Sequence, residues 1–170
     1  SVQVHPEDQY ALEKEQDYGK TESWYIIEAE GQKEIIYGHK FANREQFRRA
    51  LRERTIQSYL ERKKIQKDDL IYVPAGTLHA ILKGTILLEI QQTSDVTYRV
   101  YDWDRTDANG QGRQLHTAEA EQVLTFDPVH HIASLNTTPI FQNRTIIHEQ
   151  LLVCPYFTVE RIRMAAGAAY

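Results

Sequence analysis

The stretch from Leu70 to Gln91 reads LIYVPAGTLHAILKGTILLEIQ, and its pattern decides the class of fold. It contains three short apolar runs, at Leu70–Val73, Leu78–Leu82 and Thr85–Gln91, separated by Pro74-Ala75-Gly76 and by Lys83-Gly84. Short runs of this kind, bounded by glycine and proline, are typical of β-strands. An ordinary helix would need a longer pattern without these interruptions. The stretch therefore predicts three successive strands joined by turns.

Similar runs lie on both sides of this stretch. They alternate between apolar and polar residues or are rich in aromatic and β-branched residues, as strands are. The runs are Val2–His5, Ser23–Ala29, Glu34–Tyr37, Val96–Tyr101, Ile146–Val153 and Tyr156–Met164. The second and third runs predict a hairpin, and the last two predict another. Many short strands at close spacing are typical of a sandwich or barrel, so we predict a mainly β protein.

The segment near residues 43–64 has a different character. Asn43 can cap a helix, with Gln46 as its capping-box partner, and Phe47 begins an apolar face. A second helix is predicted at Thr55–Lys64. These two helices predict a short helical insertion between strands.

The composition argues against several classes of protein. Hydrophobic residues make up 41% and charged residues 26% of the chain, which is ordinary for a globular protein. A formal net charge of -4 argues against nucleic-acid binding, which needs a basic face, but allows a small anionic substrate. The longest apolar runs are too short to span a membrane. The single cysteine, Cys154, fits a reducing compartment, so we expect a cytoplasmic protein.

Four side chains offer ligand atoms for one metal ion. Gln3 and His5 are two residues apart on the first predicted strand, so they point to the same face. Glu22 opens a later strand, and His79 follows the turn at residues 74–76. Two imidazole nitrogens and two oxygens suit zinc or another borderline divalent ion. Taken singly, these residues also fit a hydrogen-bonded strand histidine, a surface amide or an exposed carboxylate. The other histidines are interpreted as surface or loop residues: His39, His116, His130, His131 and His148.

Four longer motifs surround these candidates. They are SVQVHP at residues 1–6, GKTESWY at 19–25, YVPAGTLHA at 72–80 and QQTSDVTYR at 91–99. Their order and spacing resemble the type I mannose-6-phosphate isomerases, in particular the Gram-positive bacterial branch of that family. The resemblance runs from Ser1 to about Leu115. It implies a cupin (jelly-roll) barrel and one catalytic Zn²⁺ held by Gln3, His5, Glu22 and His79.

The same resemblance implies an enzyme that interconverts mannose 6-phosphate and fructose 6-phosphate by metal-assisted proton transfer through an enediol. Arg99 matches the active-site arginine of the family, and Lys20 and Asp95 match residues that can carry the proton. Ser1 and Glu89 match positions that line the pocket. On the residues alone, Lys20 and Asp95 would be interpreted as turn residues and Arg99 as the partner of a structural acid.

Two positions depart from the family pattern. Gly19-Lys20-Thr21-Glu22 stands where many members have His-Lys-Pro-Glu. Ile81 replaces an aromatic residue that often follows the last metal histidine by two positions. Both departures leave the metal ligands intact and affect the substrate pocket.

The expected organisation is a metal-binding cupin domain at residues 1–126, followed at residues 127–170 by a linker and the start of a second, truncated β region. Because family members have a long segment before the SVQVH strand, we expect the chain to be an internal fragment. Two other hypotheses remain: a non-catalytic, metal-containing cupin that binds a sugar phosphate, and an inert fragment whose site needs the preceding segment. The sequence does not indicate an oligomeric state.

Overall fold

Antiparallel strands make up most of the regular structure in the computed structural model, which describes residues 1–31, 33–126 and 137–170. The chain divides into two units, Ser1–Val129 and His130–Tyr170. Residues 127–136, which include His130 and His131 and with which the predicted linker and second β region begin, lie outside the described residues. The expected domain boundary after residue 126 stays a prediction.

The described part of the first unit contains strands in two sheets and three α-helices. The strands are β1 (Val2–Val4), β2 (Glu22–Ala29), β3 (Glu34–His39), β4 (Leu60–Lys64), β5 (Leu70–Val73), β6 (His79–Ile81), β7 (Thr85–Gln91) and β8 (Tyr98–Tyr101). The helices are α1 (Asp8–Glu15), α2 (Arg44–Arg52) and α3 (Thr117–Val123). One sheet has the strand order β4-β3-β6-β1-β8, and the other has the order β5-β2-β7.

Consecutive strands from β1 to β8 lie in different sheets, with the exception of β3 and β4. The predicted hairpin of β2 with β3 is therefore wrong, because β2 pairs with β5 and β7 while β3 pairs with β4 and β6. The physical reason is burial. Trp24 of β2 and Tyr37 of β3 belong to one apolar cluster, so the two strands face each other across the core instead of lying side by side.

The predicted helical insertion is correct only in its first half. Helix α2 begins after Asn43, whose side chain accepts a hydrogen bond from the Gln46 amide at 2.9 Å. The predicted helix at Thr55–Lys64 is wrong, because a 3₁₀ helix at Ile56–Tyr59 is followed by β4. Pairing of β4 with β3 supplies backbone hydrogen bonds that outweigh the helix propensity of Leu, Glu, Arg and Lys.

The core of the first unit lies on both faces of the five-stranded sheet. One cluster includes Val2 and Val4 of β1 together with Phe47 of α2, so it lies between this sheet and the helices. The other cluster includes Ile35 of β3 and Ile71 of β5, so it lies between the two sheets. Side chains of β1 therefore alternate, and Gln3 points toward the space between the sheets.

The second unit is a three-stranded sheet. Its strands are β9 (Thr138–Gln142), β10 (Ile146–Val153) and β11 (Thr158–Met164), in the order β11-β10-β9. The pairing of β10 with β11 confirms the predicted final hairpin. His148 was expected at the surface and is instead buried in β10, where Nε2 lies 2.8 Å from Glu160 Oε2.

Across the described residues, no helix is long and apolar enough to cross a lipid bilayer.

Candidate metal centre

A row of side chains crosses the five-stranded sheet on the face turned toward the other sheet. Its register pairs Tyr37 with His79, His79 with Gln3, and Gln3 with Arg99. Directly paired residues project to the same face, and Tyr37 belongs to the cluster between the sheets. Gln3, His79 and Arg99 therefore face the interior between the sheets.

Three candidate ligands meet in this interior. His5, Glu22 and His79 are all buried, and one ligand atom from each lies within 4.8 Å of the others. His5 follows the end of β1, Glu22 opens β2 in the opposite sheet, and His79 opens β6. Residues far apart in the sequence thus form one group that can hold a metal ion.

The two imidazoles are oriented as metal ligands require. His5 Nδ1 donates to the Val96 carbonyl and His79 Nδ1 donates to the Thr77 carbonyl, each at 2.9 Å. A carbonyl oxygen can only accept, so a neutral ring keeps its lone pair on Nε2. This arrangement, in which the second ring nitrogen is fixed by a carbonyl, is typical of metal-binding histidines.

His5 Nε2 gives the clearest test of whether the site fits a metal ion. It is buried and has no hydrogen-bond partner, although it lies 3.2 Å from Glu22 Oε1. A lone pair facing a carboxylate at this distance is unfavourable unless a proton or a cation lies between them. The donor set therefore fits a bound cation.

The protonation states of the group also fit a cation. Burial, with a contribution from His5, lowers the pKa of His79 to about 4, so His79 is neutral near pH 7. Burial acts to raise the pKa of Glu22, but His5, His79 and Lys20 outweigh it and hold that pKa below its ordinary value. The Trp24 indole N–H donates to Glu22 Oε2 at 3.0 Å and fixes the carboxylate. The site thus offers one carboxylate and a neutral imidazole nitrogen from His79, with His5 Nε2 beside them.

Gln3 lies beside the three ligands. Its Nε2 is 3.4 Å from His79 Nε2, and its Oε1 accepts a hydrogen bond from Ser1 Oγ at 3.4 Å. The two ends of an amide are exchanged by a rotation of the terminal torsion. Gln3 can therefore turn its oxygen toward a cation held by His79.

Lys20 and Arg99 border the same group. Lys20 Nζ lies 3.8 Å from Glu22 Oε1, and its side chain is 12% exposed. Arg99 donates from Nη1 to the Gln114 carbonyl at 2.9 Å, while its buried Nε has no hydrogen-bond partner. Lys20 therefore places a positive charge beside Glu22, and Arg99 places one on the strand next to Gln3.

Asp95 lies elsewhere in the first unit. It is exposed, and its backbone N–H donates to Asp17 Oδ2 at 3.4 Å. It lines a recess together with Glu15, Asp17 and Glu119. Its predicted role in proton transfer stays a prediction, and its contacts in the structure are with this acidic recess.

A second recess opens near Ser1 and the end of β6. Its volume is about 690 Å³, and its lining includes the basic residues Arg62, Lys83 and Arg105 and the acidic residues Glu30 and Glu34. Ser1 contacts Gln3 and Ile81 lies two residues after His79 on β6, although none of the four candidate ligands lines the recess. Glu89 of β7 pairs with Trp24, so it projects to the same inner face. Partial burial and the nearby Glu22 raise the pKa of Glu89.

Several residues of the site were not found from the sequence. The Val96 and Thr77 carbonyls are backbone groups, which no side-chain motif indicates. Trp24 has a usable signal, because a residue two positions after Glu22 on a strand shares its face.

Comparison with known proteins gives a consistent result. No protein-family model matches the chain. The probable mannose-6-phosphate isomerase GmuF of Bacillus subtilis is 42% identical over 171 residues, which are 100% of this chain and 53% of that protein. The mannose-6-phosphate isomerase of Streptococcus mutans is 44% identical over 168 residues, which are 98% of this chain and 52% of that protein. The chain thus spans about half the length of the curated relatives it matches.

Solved structures agree with the sequence comparison. A crystal structure of the mannose 6-phosphate isomerase from Bacillus subtilis is similar with a TM-score of 0.86 and 40% identity, over 97% of this chain and 52% of that one. A structure of a putative mannosephosphate isomerase from Archaeoglobus fulgidus has a TM-score of 0.59 at 18% identity, which is a likeness of fold alone. The mainly β, cupin-type fold is thereby confirmed. Over nearly its whole length, the chain is thus similar to proteins named mannose-6-phosphate isomerases, and it spans about half of each.

Proposed function

We propose that the protein is a metal-dependent isomerase that interconverts mannose 6-phosphate and fructose 6-phosphate. The observation that supports this most directly is the buried His5 Nε2, which has no hydrogen-bond partner and faces Glu22 and His79 in a chain homologous to such isomerases. A buried imidazole nitrogen without a hydrogen-bond partner is costly in a site that holds no cation, and a bound metal ion removes that cost.

Zn²⁺ is the metal we propose, held by His5, Glu22 and His79, with Gln3 as a fourth ligand after its amide has turned. Two imidazoles, one carboxylate and one amide oxygen are donors that zinc accepts. When bound, the ion supplies Lewis acidity that polarises the carbonyl group of the substrate. A site with a single carboxylate keeps a net positive charge, which suits that task.

The side chains around the ligands have distinct roles in this proposal. Isomerisation requires a proton to leave C2 of the aldose and to return to C1. Lys20 and Glu89 are the groups that we propose move this proton, since Lys20 borders Glu22, Glu89 projects to the same inner face as Trp24, and burial and Glu22 raise the pKa of Glu89. Arg99 stabilises the negative charge that develops on the enediol oxygens. We assign no step to Asp95, because its contacts are with Asp17.

The recess beside Ser1 and Ile81 is the proposed binding site for the sugar phosphate. Its link to the ligands is Ser1, which contacts Gln3, and we propose that a substrate whose C1 and C2 lie at the ligands extends its phosphate toward this space. Lys83 on its wall provides positive charge for the phosphate, whereas Arg62 is paired with Glu34 and Arg105 with Asp102. We further propose that the protein acts in the cytoplasm, since such phosphorylated sugars are metabolites and Cys154 cannot form an intramolecular disulfide.

The test is an isomerase assay on the zinc-loaded protein in deuterated water. Formation of fructose 6-phosphate, with deuterium from the solvent appearing on the product, would support the proposal. Binding of zinc and of mannose 6-phosphate without conversion or exchange would contradict it and favour a non-catalytic sugar-phosphate-binding protein. The same assay on a relative of full length shows how much activity the other half of the family's sequence adds.

A further inference from the structure

Two half-buried side chains hold the segment that carries Lys20 and Glu22. Asp8 is the first residue of α1, and Gln92 immediately follows β7. Asp8 Oδ1 accepts a hydrogen bond from Gln92 Nε2 at 2.9 Å and another from the Gly19 amide at 2.8 Å. Gln92 Oε1 accepts from the Thr21 amide at 2.8 Å. We call this pair the Asp8–Gln92 clasp, and it contacts the backbone on both sides of Lys20.

The clasp belongs to a wider set of bonds that joins all three ligand segments. The Lys20 amide donates to the Pro6 carbonyl at 3.0 Å, next to His5. The Ala75 amide donates to Thr21 Oγ1 at 3.3 Å, and the Gly76 amide donates to the His5 carbonyl at 2.8 Å. Residues 19–22 are therefore attached to the strand end that carries His5 and to the turn that precedes His79.

Gly19 shows how closely this segment approaches α1. A Cβ atom at residue 19 would lie 2.5 Å from the Asp8 backbone nitrogen and 2.7 Å from the Glu7 carbonyl carbon. Such distances are shorter than real contacts, and the obstructing atoms are backbone, so only glycine allows this approach. Thr21 also differs from the proline of the family pattern, and a proline has no N–H to donate to Gln92. Gly19 and Thr21, at which the stretch from residue 19 to residue 22 departs from the family pattern, are thus the residues whose amides the clasp binds.

We propose that Asp8 and Gln92 are positioning residues, which fix the Glu22 carboxylate as a metal ligand and the Lys20 ammonium beside it. This inference rests on the proposed function. Residues that orient a metal ligand without binding the metal themselves contribute strongly to metal affinity. A residue that does not contact the substrate can also lower the rate when its loss displaces the group that carries the proton. The clasp bonds the Gly19 and Thr21 amides and no side chain of a metal ligand, so it acts through the segment that it holds.

The experiment removes the hydrogen bond that Gln92 donates to Asp8 without changing the size of the side chain. Gln92→Glu places a carboxylate against Asp8, while the remaining oxygen still accepts from Thr21. We expect zinc affinity, measured by competition with a chromophoric chelator, to fall about 10-fold to 100-fold, as for other outer partners of metal ligands. Adding Asp8→Asn removes the repulsion between the two carboxylates, but an amide nitrogen at the position of Oδ1 cannot also accept from Gly19, so the second change should recover only part of that affinity. In the isomerase assay, kcat should fall and recover in parallel, with KM changed little.

The control is Asn43→Ala, which removes the cap of α2 far from the ligands and lowers the melting temperature through a different element. Zinc affinity in this variant should equal that of the parent. The inference is overturned if Gln92→Glu binds zinc as the parent does, if Asp8→Asn brings no recovery, or if Asn43→Ala weakens zinc binding to the same degree. A parent protein without isomerase activity would overturn the proposed function, while the zinc affinities would still decide the role of the clasp.

Discussion

His79 is the residue whose loss should affect the metal centre most. His79→Ala removes one of the two buried imidazole nitrogens and leaves only His5, Glu22 and the Gln3 amide as proposed ligands. We expect zinc affinity to fall by more than about 100-fold, beyond the usual effect of outer partners. Elemental analysis after dialysis against a weak chelator measures the bound zinc. His39→Gln, which changes a half-buried histidine bonded to the Thr125 carbonyl, is the control and should retain zinc.

A change at Arg99 should lower kcat and leave zinc binding unchanged. Arg99→Lys keeps a positive charge but loses the planar set of donors, including the buried Nε that has no partner. We expect kcat to fall by roughly 100-fold, the usual cost of removing a donor to a developing negative charge, with zinc content unchanged. Steady-state kinetics with matched zinc analysis checks this. Full activity in the variant would show that Arg99 has no catalytic role.

Among single residues, the sequence was most informative where the spacing along a strand and the chemistry of the side chains both indicated a metal site. The period of two in a strand placed Gln3 and His5 on one face, and the structure puts Gln3 beside His79. The convergence of Glu22 from the opposite sheet needed the family resemblance, because no local pattern relates residues so far apart. The Val96 and Thr77 carbonyls could not be predicted, since their role depends on backbone positions fixed by the fold.

The loop after β8 depends on a single carboxylate. Asp102 accepts hydrogen bonds from Arg113 at 2.6 and 2.7 Å and also from Arg105. The hydrogen bond from Arg113, with further contributions from Arg105, lowers the pKa of Asp102 well below its ordinary value of 3.8. This carboxylate therefore stabilises the fold above about pH 3.8, and its contribution is lost as the pH falls through the lower pKa of the folded state.

Asp102→Asn should accordingly lower the melting temperature at pH 7 and at pH 5. The difference from the parent should narrow as the pH falls below the ordinary pKa of the carboxylate, because the parent then loses the same charge. Thermal unfolding followed by circular dichroism across this range is the measurement. Asp104→Asn, which changes a neighbouring carboxylate bonded to the Tyr101 hydroxyl at 3.0 Å, is the control. A constant difference at all pH values would contradict the assignment.

At the scale of elements, strands were easier to predict than their partners. The stretch from Leu70 to Gln91 contains β5, β6 and β7 as expected, yet these three strands do not form one meander, since β6 lies in the other sheet. Short apolar runs reveal the period of a strand but not the sheet to which it belongs. Helix α1 was missed because only Ala11 is buried on it and its N-cap residue Glu7 makes no side-chain cap bond.

The whole molecule should gain thermal stability when zinc binds. A ligand that binds only the folded state at 100 times its dissociation constant adds about 2.7 kcal/mol. For a chain of this size, that corresponds to a rise in Tm of about 5–10 °C. Differential scanning calorimetry with zinc and with excess chelator measures the shift. The shift should disappear in His79→Ala, and its persistence there would show that zinc stabilises the protein from another site.

The alternation of strands between the two sheets also affects how the molecule reaches its native state. His5 and His79 are 74 positions apart in the sequence, and Glu22 joins them from the opposite sheet. Contacts of such separation form late and make folding slow. A cation can recognise its site only after both layers have closed, so it should retard unfolding far more than it accelerates folding. The ion would then slow the unfolding of the completed fold and would take no part in the folding nucleus.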